Sequence, residues 1–262
     1  MIISASRKCD IPNYASDWFI ESIKKGTITF PMNLFMERSI NVTPDNTDCI
    51  VFWTKNPEPM MSRINELSDY TYYFQFTLTG YSKRIEPGVP DKHHMIEVFK
   101  TLSSMIGKEK VIWRYDPIFI FDVYNVEYHK RAFSQIAAAL DGYATRCVFS
   151  FIDLYGKVAG NMARIHGRAP DADEAEKLVC FMAAHAKTHN MEIETCAEQG
   201  EFSKYGVNKG HCIDAKLIYS LTGKRIDESK DNGQRTLCGC CKSVDVGTYH
   251  TCKNGCIYCY AK

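Results

Sequence analysis

The sequence lacks the features of a membrane protein, a secreted protein or a basic nucleic-acid-binding protein. In its 262 residues no uninterrupted apolar run approaches the roughly 18 residues of a membrane span, and Met1–Ser6 is too short for a secretory signal. The 32 Lys and Arg residues are balanced by 31 Asp and Glu residues, which leaves a net charge of +1. We therefore expect a cytoplasmic protein without a membrane partner, and nucleic acid is an unlikely partner by charge.

Internal repeats and low-complexity segments are absent as well. Hydrophobic residues make up 45% of the chain and charged residues 24%, which are ordinary values for a globular protein and exclude a largely disordered one. A single domain is expected at this length, since barrels and other α/β domains reach about 250 residues.

Six segments rich in β-branched and aromatic residues predict buried parallel strands. They are Ile2–Ser6, Cys49–Thr54, Tyr72–Leu78, Val111–Tyr115, Cys147–Ile152 and Glu192–Cys196. A helical pattern follows each strand, for example over residues 91–106, 127–140 and 213–221. This alternation predicts an α/β fold, which is compatible with a barrel or with an open doubly wound sheet.

Polar residues at the ends of all six strands favour the barrel, because catalytic groups gather at the carboxyl ends of barrel strands. An open sheet would concentrate them at one switch point. The catalytic candidates, in strand order, are Arg7, Asp10, Lys55, Gln75, Arg114, Asp116, Asp153, Glu194 and Glu198. We predict a (β/α)6-type partial or complete TIM-like barrel over residues 1–221, a polar linker over 222–236, and a cysteine-rich extension over 237–262 that packs on the barrel mouth.

The types of these residues predict a small polar substrate. Arg7, Lys55 and Arg114 would bind a carboxylate or phosphate. The acidic candidates would orient hydroxyls or amines, or transfer protons. Trp53 or Tyr115 would stack on a base or sugar, and Thr77 and Ser150 would supply polar contacts to a cofactor.

Twelve cysteines are present, and six of them lie in the last 25 residues. In a reducing compartment clustered cysteines are typical of metal sites rather than of disulfides. Cys252, Cys256 and Cys259 have the spacing C-x3-C-x2-C. Three thiolates at this spacing suit a 4Fe–4S cluster whose fourth iron stays open for a substrate or cofactor.

This motif resembles that of the radical S-adenosylmethionine (SAM) enzymes, which place an aromatic residue before the last cysteine, as Tyr258 is placed here. The resemblance implies that the three cysteines bind a 4Fe–4S cluster, that SAM binds the open iron, and that Tyr258 packs near the adenine. It also implies reductive cleavage of SAM to a 5′-deoxyadenosyl radical, with an electron donor such as flavodoxin or ferredoxin. The superfamily usually has a partial barrel, but its motif usually follows the first strand.

Over its whole length the chain resembles the bacterial family called domain of unknown function 1848. The segments that carry this resemblance include residues 4–12, 52–57, 74–81, 113–117, 153–155 and 194–198, and the terminal cysteine motif. The resemblance implies no substrate.

A second metal site is predicted because five further cysteines lie near the tail in sequence: Cys196, Cys212, Cys238, Cys240 and Cys241. The family resemblance implies that the first four are the ligands and that Cys241 is spare. Cys196 ends the sixth strand, Cys212 precedes the sixth helix, and Cys238 and Cys240 could fold back over the barrel rim. Four thiolates would hold either a fully ligated 4Fe–4S cluster or a tetrahedral zinc ion.

Two other functions remain open from the sequence. The protein could be an iron–sulfur redox or sensor protein that does not use SAM. Alternatively, His250 could complete a zinc site with the three terminal cysteines, on a barrel that binds nucleic acid.

Overall fold

The computed structural model describes residues 1–32, 35–231 and 233–261. The strands are β1 (Ile2–Ala5), β2 (Thr27–Pro31), β3 (Glu37–Asn41), β4 (Cys49–Thr54), β5 (Tyr72–Thr77), β6 (Val111–Ile118), β7 (Arg146–Phe151), β8 (Glu192–Thr195), β9 (Asn208–Lys209) and β10 (Val244–Asp245). The α-helices are α1 (Ile11–Tyr14), α2 (Ser16–Lys24), α3 (Glu58–Met61), α4 (Lys92–Ile106), α5 (Val126–Ala139), α6 (Gly156–Arg164), α7 (Ala172–Thr188) and α8 (Ala215–Thr222). Among the described residues, no helix is long and apolar enough to cross a membrane.

An eight-stranded sheet organises the fold, with the strand order β10-β1-β4-β5-β6-β7-β8-β9. Its neighbouring strands pair in parallel. The six predicted strands are confirmed as β1 and β4 to β8, and they lie side by side in chain order. A doubly wound sheet would reverse this order at a switch point, and these six strands show no such reversal. Within the described residues, however, no pairing joins the edge strands β9 and β10, and the architecture shown is an α/β fold with a parallel sheet.

The two faces of the sheet pack against different layers, because successive side chains of a strand point to opposite faces. One face carries Phe52, Phe74 and Trp113 and packs against the long helices, including α2, α4, α5 and α7. The other, here called the inner face, carries Val51, Tyr73, Ile112 and Val148. The inner face packs against α8 and the cysteine-rich segment that follows it.

The same alternation places polar side chains at the carboxyl ends of the strands. Trp53, Gln75, Arg114 and Ser150 each lie two residues beyond an apolar residue of the inner face. They therefore share that face, one layer nearer to the strand ends. The inner face is apolar in its first layer and polar in the next, which supports the prediction of a site at this edge.

Outside the main sheet, a β-hairpin lies between α2 and β4. Strands β2 and β3 pair antiparallel, with Ile28 opposite Ile40. Both of these side chains are buried in the helix-side core. Residues 33 and 34, in the connection between the strands, lie outside the described residues.

The predicted linker and extension are more closely joined to the sheet than their polarity indicates. Cys238, Cys240 and Cys241 belong to the inner-face core, and β10 extends the sheet beside β1. Residue 232 of the predicted linker lies outside the described residues. The Asp245 carboxylate in β10 accepts hydrogen bonds from Ser4 Oγ and Ser6 Oγ, both at 2.7 Å, and from the Arg7 amide at 2.9 Å. This one side chain therefore joins the extension to the end of β1.

Asp245→Ala is expected to lower the free energy of unfolding by about 3 kcal/mol, because it removes several hydrogen bonds to a partly buried carboxylate at once. Urea denaturation measures the loss. Asp227→Ala is the matched control, since Asp227 is exposed and bonds only to nearby Ser229. Equal losses in the two variants would contradict the role assigned to Asp245.

Candidate functional site

A cavity of about 620 Å³ opens at the carboxyl ends of the strands of the main sheet. Its wall is formed by the ends of β1, β4, β6 and β7, by the inner-face cysteines, and by the C-terminal segment 249–261, here called the tail. Strand ends and tail together thus line one cavity.

Most of the predicted site residues line this cavity. They are Arg7, Asp10, Trp53, Lys55, Thr77, Arg114, Asp116, Ser150, Asp153 and Tyr258, together with Cys196, Cys212, Cys238, Cys240, Cys252, Cys256 and Cys259. Gln75, Glu194 and Glu198 do not line it. His250, which the zinc alternative requires, does not line it either.

The three residues outside the cavity wall are held by other contacts. Gln75 is buried and bonds to the Cys212 carbonyl and to Arg114. Glu194 lies 3.7 Å from Arg146. Glu198 accepts a hydrogen bond from the Phe151 amide at 2.9 Å, and burial raises its pKa to about 7. Gln75 therefore supports the site from behind the cavity wall, and the two glutamates lie outside that wall.

Main-chain and side-chain hydrogen bonds hold the tail over the cavity. The Gly88 amide donates to the Asn254 carbonyl at 2.8 Å, and the Ile257 amide donates to the Ile85 carbonyl at 3.0 Å. The Asn254 side chain donates to Asp10 at 3.0 Å. A Cβ at Gly88 would lie 2.5 Å from the Lys253 carbonyl oxygen. Only glycine therefore allows the tail to approach this closely.

Glu86 anchors the middle of the tail from a fully buried position. Its carboxylate pairs with Lys55 at 2.9 Å and with Lys92, and it accepts hydrogen bonds from Thr79 and from the Tyr258 hydroxyl. Burial by itself would raise the pKa of Glu86, but the two ammonium groups lower it to about 2. Glu86 is therefore an ionised anchor that fixes Tyr258 and, with it, the cysteine motif.

Asp10 is a second buried anchor rather than a free acid. Its carboxylate accepts hydrogen bonds from Thr54 Oγ1 at 2.7 Å, from the Lys55 amide at 2.8 Å and from Asn254. Burial raises the pKa of Asp10. These bonds join the end of β4 to the tail, so Asp10 orients the cavity wall.

The basic residues of the cavity differ in how fully they are paired. Lys55 is paired with Glu86, and Arg114 is paired with Asp116 at 2.6 Å. Arg7 is paired less closely: its Nη1 lies 3.8 Å from the Asp231 carboxylate. Its guanidinium carbon lies 5.1 Å from the centroid of the Trp53 ring, over which it stacks. Among the described residues, its buried Nη2 has no hydrogen-bond partner. Arg7 is thus the basic cavity residue whose geometry leaves a donor for an anionic ligand.

The three tail thiols all line the cavity. All twelve cysteines are free thiols. Burial raises the pKa of Cys256 to about 11, while the Lys55 ammonium acts in the opposite direction. Cys252 and Cys259 lie within electrostatic range of Cys256. Among the described residues, no group of three or more His, Cys, Asp or Glu side chains is arranged, as it stands, to hold a metal ion.

Tyr258 lines the cavity but is also packed by the protein. Its ring centroid lies 5.9 Å from those of both Tyr81 and Phe119, and Lys55 Nζ lies 5.4 Å from its ring centroid. Only part of the ring is thus left to face a ligand, and the contact with adenine implied by the resemblance stays a prediction.

Several residues of the site were not predicted from the sequence. Glu86, Arg235 and Asp245 lie outside the predicted strand ends and outside any spaced motif, and Asn254 is an intervening residue of the cysteine motif to which no role was assigned. Their partners are remote in sequence, as in the Glu86–Tyr258 contact across 172 residues. The Pro87-Gly88 turn was the available local signal for a close backbone approach.

Gly88→Ala is expected to loosen the tail, because the added Cβ collides with the backbone at Lys253. Faster hydrogen exchange at residues 252–259 measures this, with about a tenfold increase expected for a displacement costing about 1.4 kcal/mol. Gly160→Ala is the control, since its Cβ would meet no atom within 4 Å. Unchanged exchange in Gly88→Ala would contradict the docking role of Gly88.

Glu86→Gln is expected to destabilise the protein by about 3–5 kcal/mol near neutral pH, because two buried ammonium groups lose their counter-ion. The low pKa of Glu86 in the fold means that its stabilisation is present above about pH 4.5 and is lost as the pH falls toward about 2. Unfolding free energies measured across this range should therefore converge for wild type and variant at low pH. The exposed Glu97→Gln is the control, and curves that stay parallel would contradict the assignment.

Comparison with known proteins identifies a family. No curated protein matches the chain. Among solved structures, one match is a protein from Bacteroides thetaiotaomicron VPI-5482 that is provisionally described as an alpha-L-fucosidase. The two sequences are 11% identical, and the match covers 84% of this chain and 90% of that chain. The TM-score of 0.33 is too low to support a functional argument. The model of the family described as Domain of unknown function (DUF1848) matches residues 2–261. The chain therefore belongs to the DUF1848 family.

Proposed function

We propose that this protein is an iron–sulfur enzyme of the radical SAM type. In this proposal Cys252, Cys256 and Cys259 bind a 4Fe–4S cluster with one open iron, SAM binds there, and a small polar substrate occupies the cavity. The observation that carries the proposal is that the three free thiols of the C-x3-C-x2-C motif lie on the wall of the same cavity as Arg7 and Asp116. The barrel-like strand order supports a partial TIM-like barrel of the kind that this superfamily uses.

The residues around the three thiols suit an anionic cluster. No sulfur–sulfur hydrogen bond joins these thiols in the part of the chain that the structure describes, which suits ligands spread around a cubane rather than around a single ion. The Lys55 ammonium lies near Cys256 and lowers the cost of its thiolate. When bound, a cluster with an open iron supplies the electron that cleaves SAM.

The other cavity residues bind and orient the substrate. Arg7 Nη2, buried and without a partner, would receive a carboxylate or phosphate. Trp53 lies beneath the Arg7 guanidinium and fixes its plane. Asp116 is held by Arg114 and by the Ser150 hydroxyl, so its remaining acceptor positions can orient a hydroxyl or amine.

The tail also limits access of water to the reacting groups. Tyr260 donates to the Arg7 carbonyl at 2.7 Å, and Asn161 donates to the Ile257 carbonyl at 3.0 Å. These bonds fasten two points of the tail, which lines the cavity, and a wall held in this way would help to protect a reactive radical from side reactions. An external electron donor such as flavodoxin or ferredoxin would act from outside this cover.

Anaerobic reconstitution with iron and sulfide tests the proposal. We expect about four iron and four sulfide per chain, and 5′-deoxyadenosine after dithionite reduction with SAM. The triple variant C252A/C256A/C259A should lose this iron and lower 5′-deoxyadenosine formation at least 100-fold. Cys180→Ser is the matched control, because Cys180 is exposed on α7.

Two results would replace the proposal. A reducible brown protein that never cleaves SAM, even with cell extract as a source of substrate, would indicate a SAM-independent redox or sensor protein. Zinc in place of iron at the tail, released by His250→Ala, would indicate the zinc module.

A further inference from the structure

Four thiols outside the tail motif meet at the inner end of the cavity. Cys196, Cys212, Cys238 and Cys240 are all buried. The Cys196 and Cys212 sulfurs lie 3.3 Å apart. Cys212 also contacts Cys240, and Cys240 contacts Cys238. The four sulfurs thus form a continuous chain of contacts, here called the thiol chain, drawn from three separate segments of the sequence.

Hydrogen-bond donors surround the thiol chain as they surround bound thiolates. Arg114 Nη1 donates to Cys212 Sγ at 2.9 Å, and Arg235 Nη2 donates to Cys196 Sγ at 3.7 Å. The Ile213 amide donates to Cys240 Sγ at 3.4 Å. A neutral thiol gains little from a guanidinium donor, whereas a metal-bound thiolate is stabilised by one.

A second shell fixes the backbone at the centre of the thiol chain. The Cys212 carbonyl accepts hydrogen bonds from Tyr73 at 2.7 Å and from Gln75 at 3.0 Å. Gln75 also accepts a hydrogen bond from Arg114, which in turn is held by Asp116. These buried polar groups of β5 and β6 hold one thiol and its donor in place, which is the arrangement that metal ligands require.

The separation of the sulfurs distinguishes a single ion from a cluster. Tetrahedral Zn²⁺ with bonds of about 2.3 Å places its sulfurs about 3.8 Å apart, so ligands of one ion nearly touch. Ligands of a 4Fe–4S cluster are spread around a larger cubane. The 3.3 Å separation of the Cys196 and Cys212 sulfurs is near that of two ligands of one ion, and closing the thiol chain around that ion requires the end thiols of Cys196 and Cys238 to turn toward each other.

From these contacts we infer that Cys196, Cys212, Cys238 and Cys240 bind one zinc ion in a tetrahedral four-thiolate site. The site joins the end of β8, the start of α8 and the segment before β10. It holds Arg114 and Arg235 at the cavity wall and is independent of the cluster proposed for the tail.

Metal analysis of the full-length protein, purified without an affinity tag and under anaerobic conditions, tests this inference. We expect about one zinc per chain in the wild type and at most one tenth of that in Cys212→Ser and Cys240→Ser. Cys241→Ser is the matched control, because Cys241 is also buried beside α8 but lies outside the thiol chain. Cobalt(II) added alone to the apoprotein should give the intense visible spectrum of a tetrahedral thiolate site.

The triple variant C252A/C256A/C259A separates this inference from the proposed function. Retention of one zinc in that variant, with loss of iron, supports the site even if SAM is never cleaved. Iron and sulfide retained by the triple variant and lost in Cys212→Ser would overturn the assignment in favour of a second cluster. Absence of bound metal, or a Cys196–Cys212 disulfide in the anaerobic protein, would also overturn it.

Alkylation of the wild type covers the case in which the serine variants do not fold. The four thiols should be protected in the zinc-loaded protein and should become reactive when a strong chelator removes the metal, with Cys241 unchanged by the chelator. Equal reactivity of the four thiols with and without the chelator would contradict the inference.

Discussion

The parallel pairing of β10 with β1 fixes the position from which the C-terminal tail begins. Asp245 lies 241 residues from Ser4, and its carboxylate nonetheless accepts the hydroxyl groups of Ser4 and Ser6 and the amide of Arg7. The pairing brings the tail to the carboxyl ends of the strands, where its cysteines join the polar layer of the inner face. Without it, neither the three-cysteine motif nor Tyr260 would reach the cavity.

Buried charge in this site serves mainly to build the wall. The carboxylates of Glu86 and Asp10 are buried, and both accept hydrogen bonds from neighbouring elements. Burying a charged carboxylate is costly unless it is paired. The contacts of these two carboxylates with the tail therefore specify where the tail lies. Arg7 differs because one of its buried nitrogens is left without an acceptor. The paired carboxylates thus belong to the scaffold of the site, whereas Arg7 is the candidate binding residue.

The strands and their polar ends could be predicted because both depend on local patterns. Continuous apolar runs located β1 and β4 to β8, and the two-residue period placed Arg114, Ser150 and Trp53 on one face. Two-residue strands such as β9 and β10 carry too little pattern to be seen. Glu194 shows another limit: it follows the inner-face period, but it lies beside Arg146 instead of at the cavity. Contacts such as Asn254 to Asp10 depend on the completed fold and have no local signal.

The partner of the first strand is synthesised long after that strand. β1 ends at Ala5 and β10 begins at Val244, so at about 5–20 residues per second the ribosome needs about 12–48 s to make the chain between them. During that time one edge of β1 offers unpaired backbone groups to other chains. The order of synthesis also lets most of the sheet form before the thiols of the tail emerge, so the tail meets strand ends that are already in place.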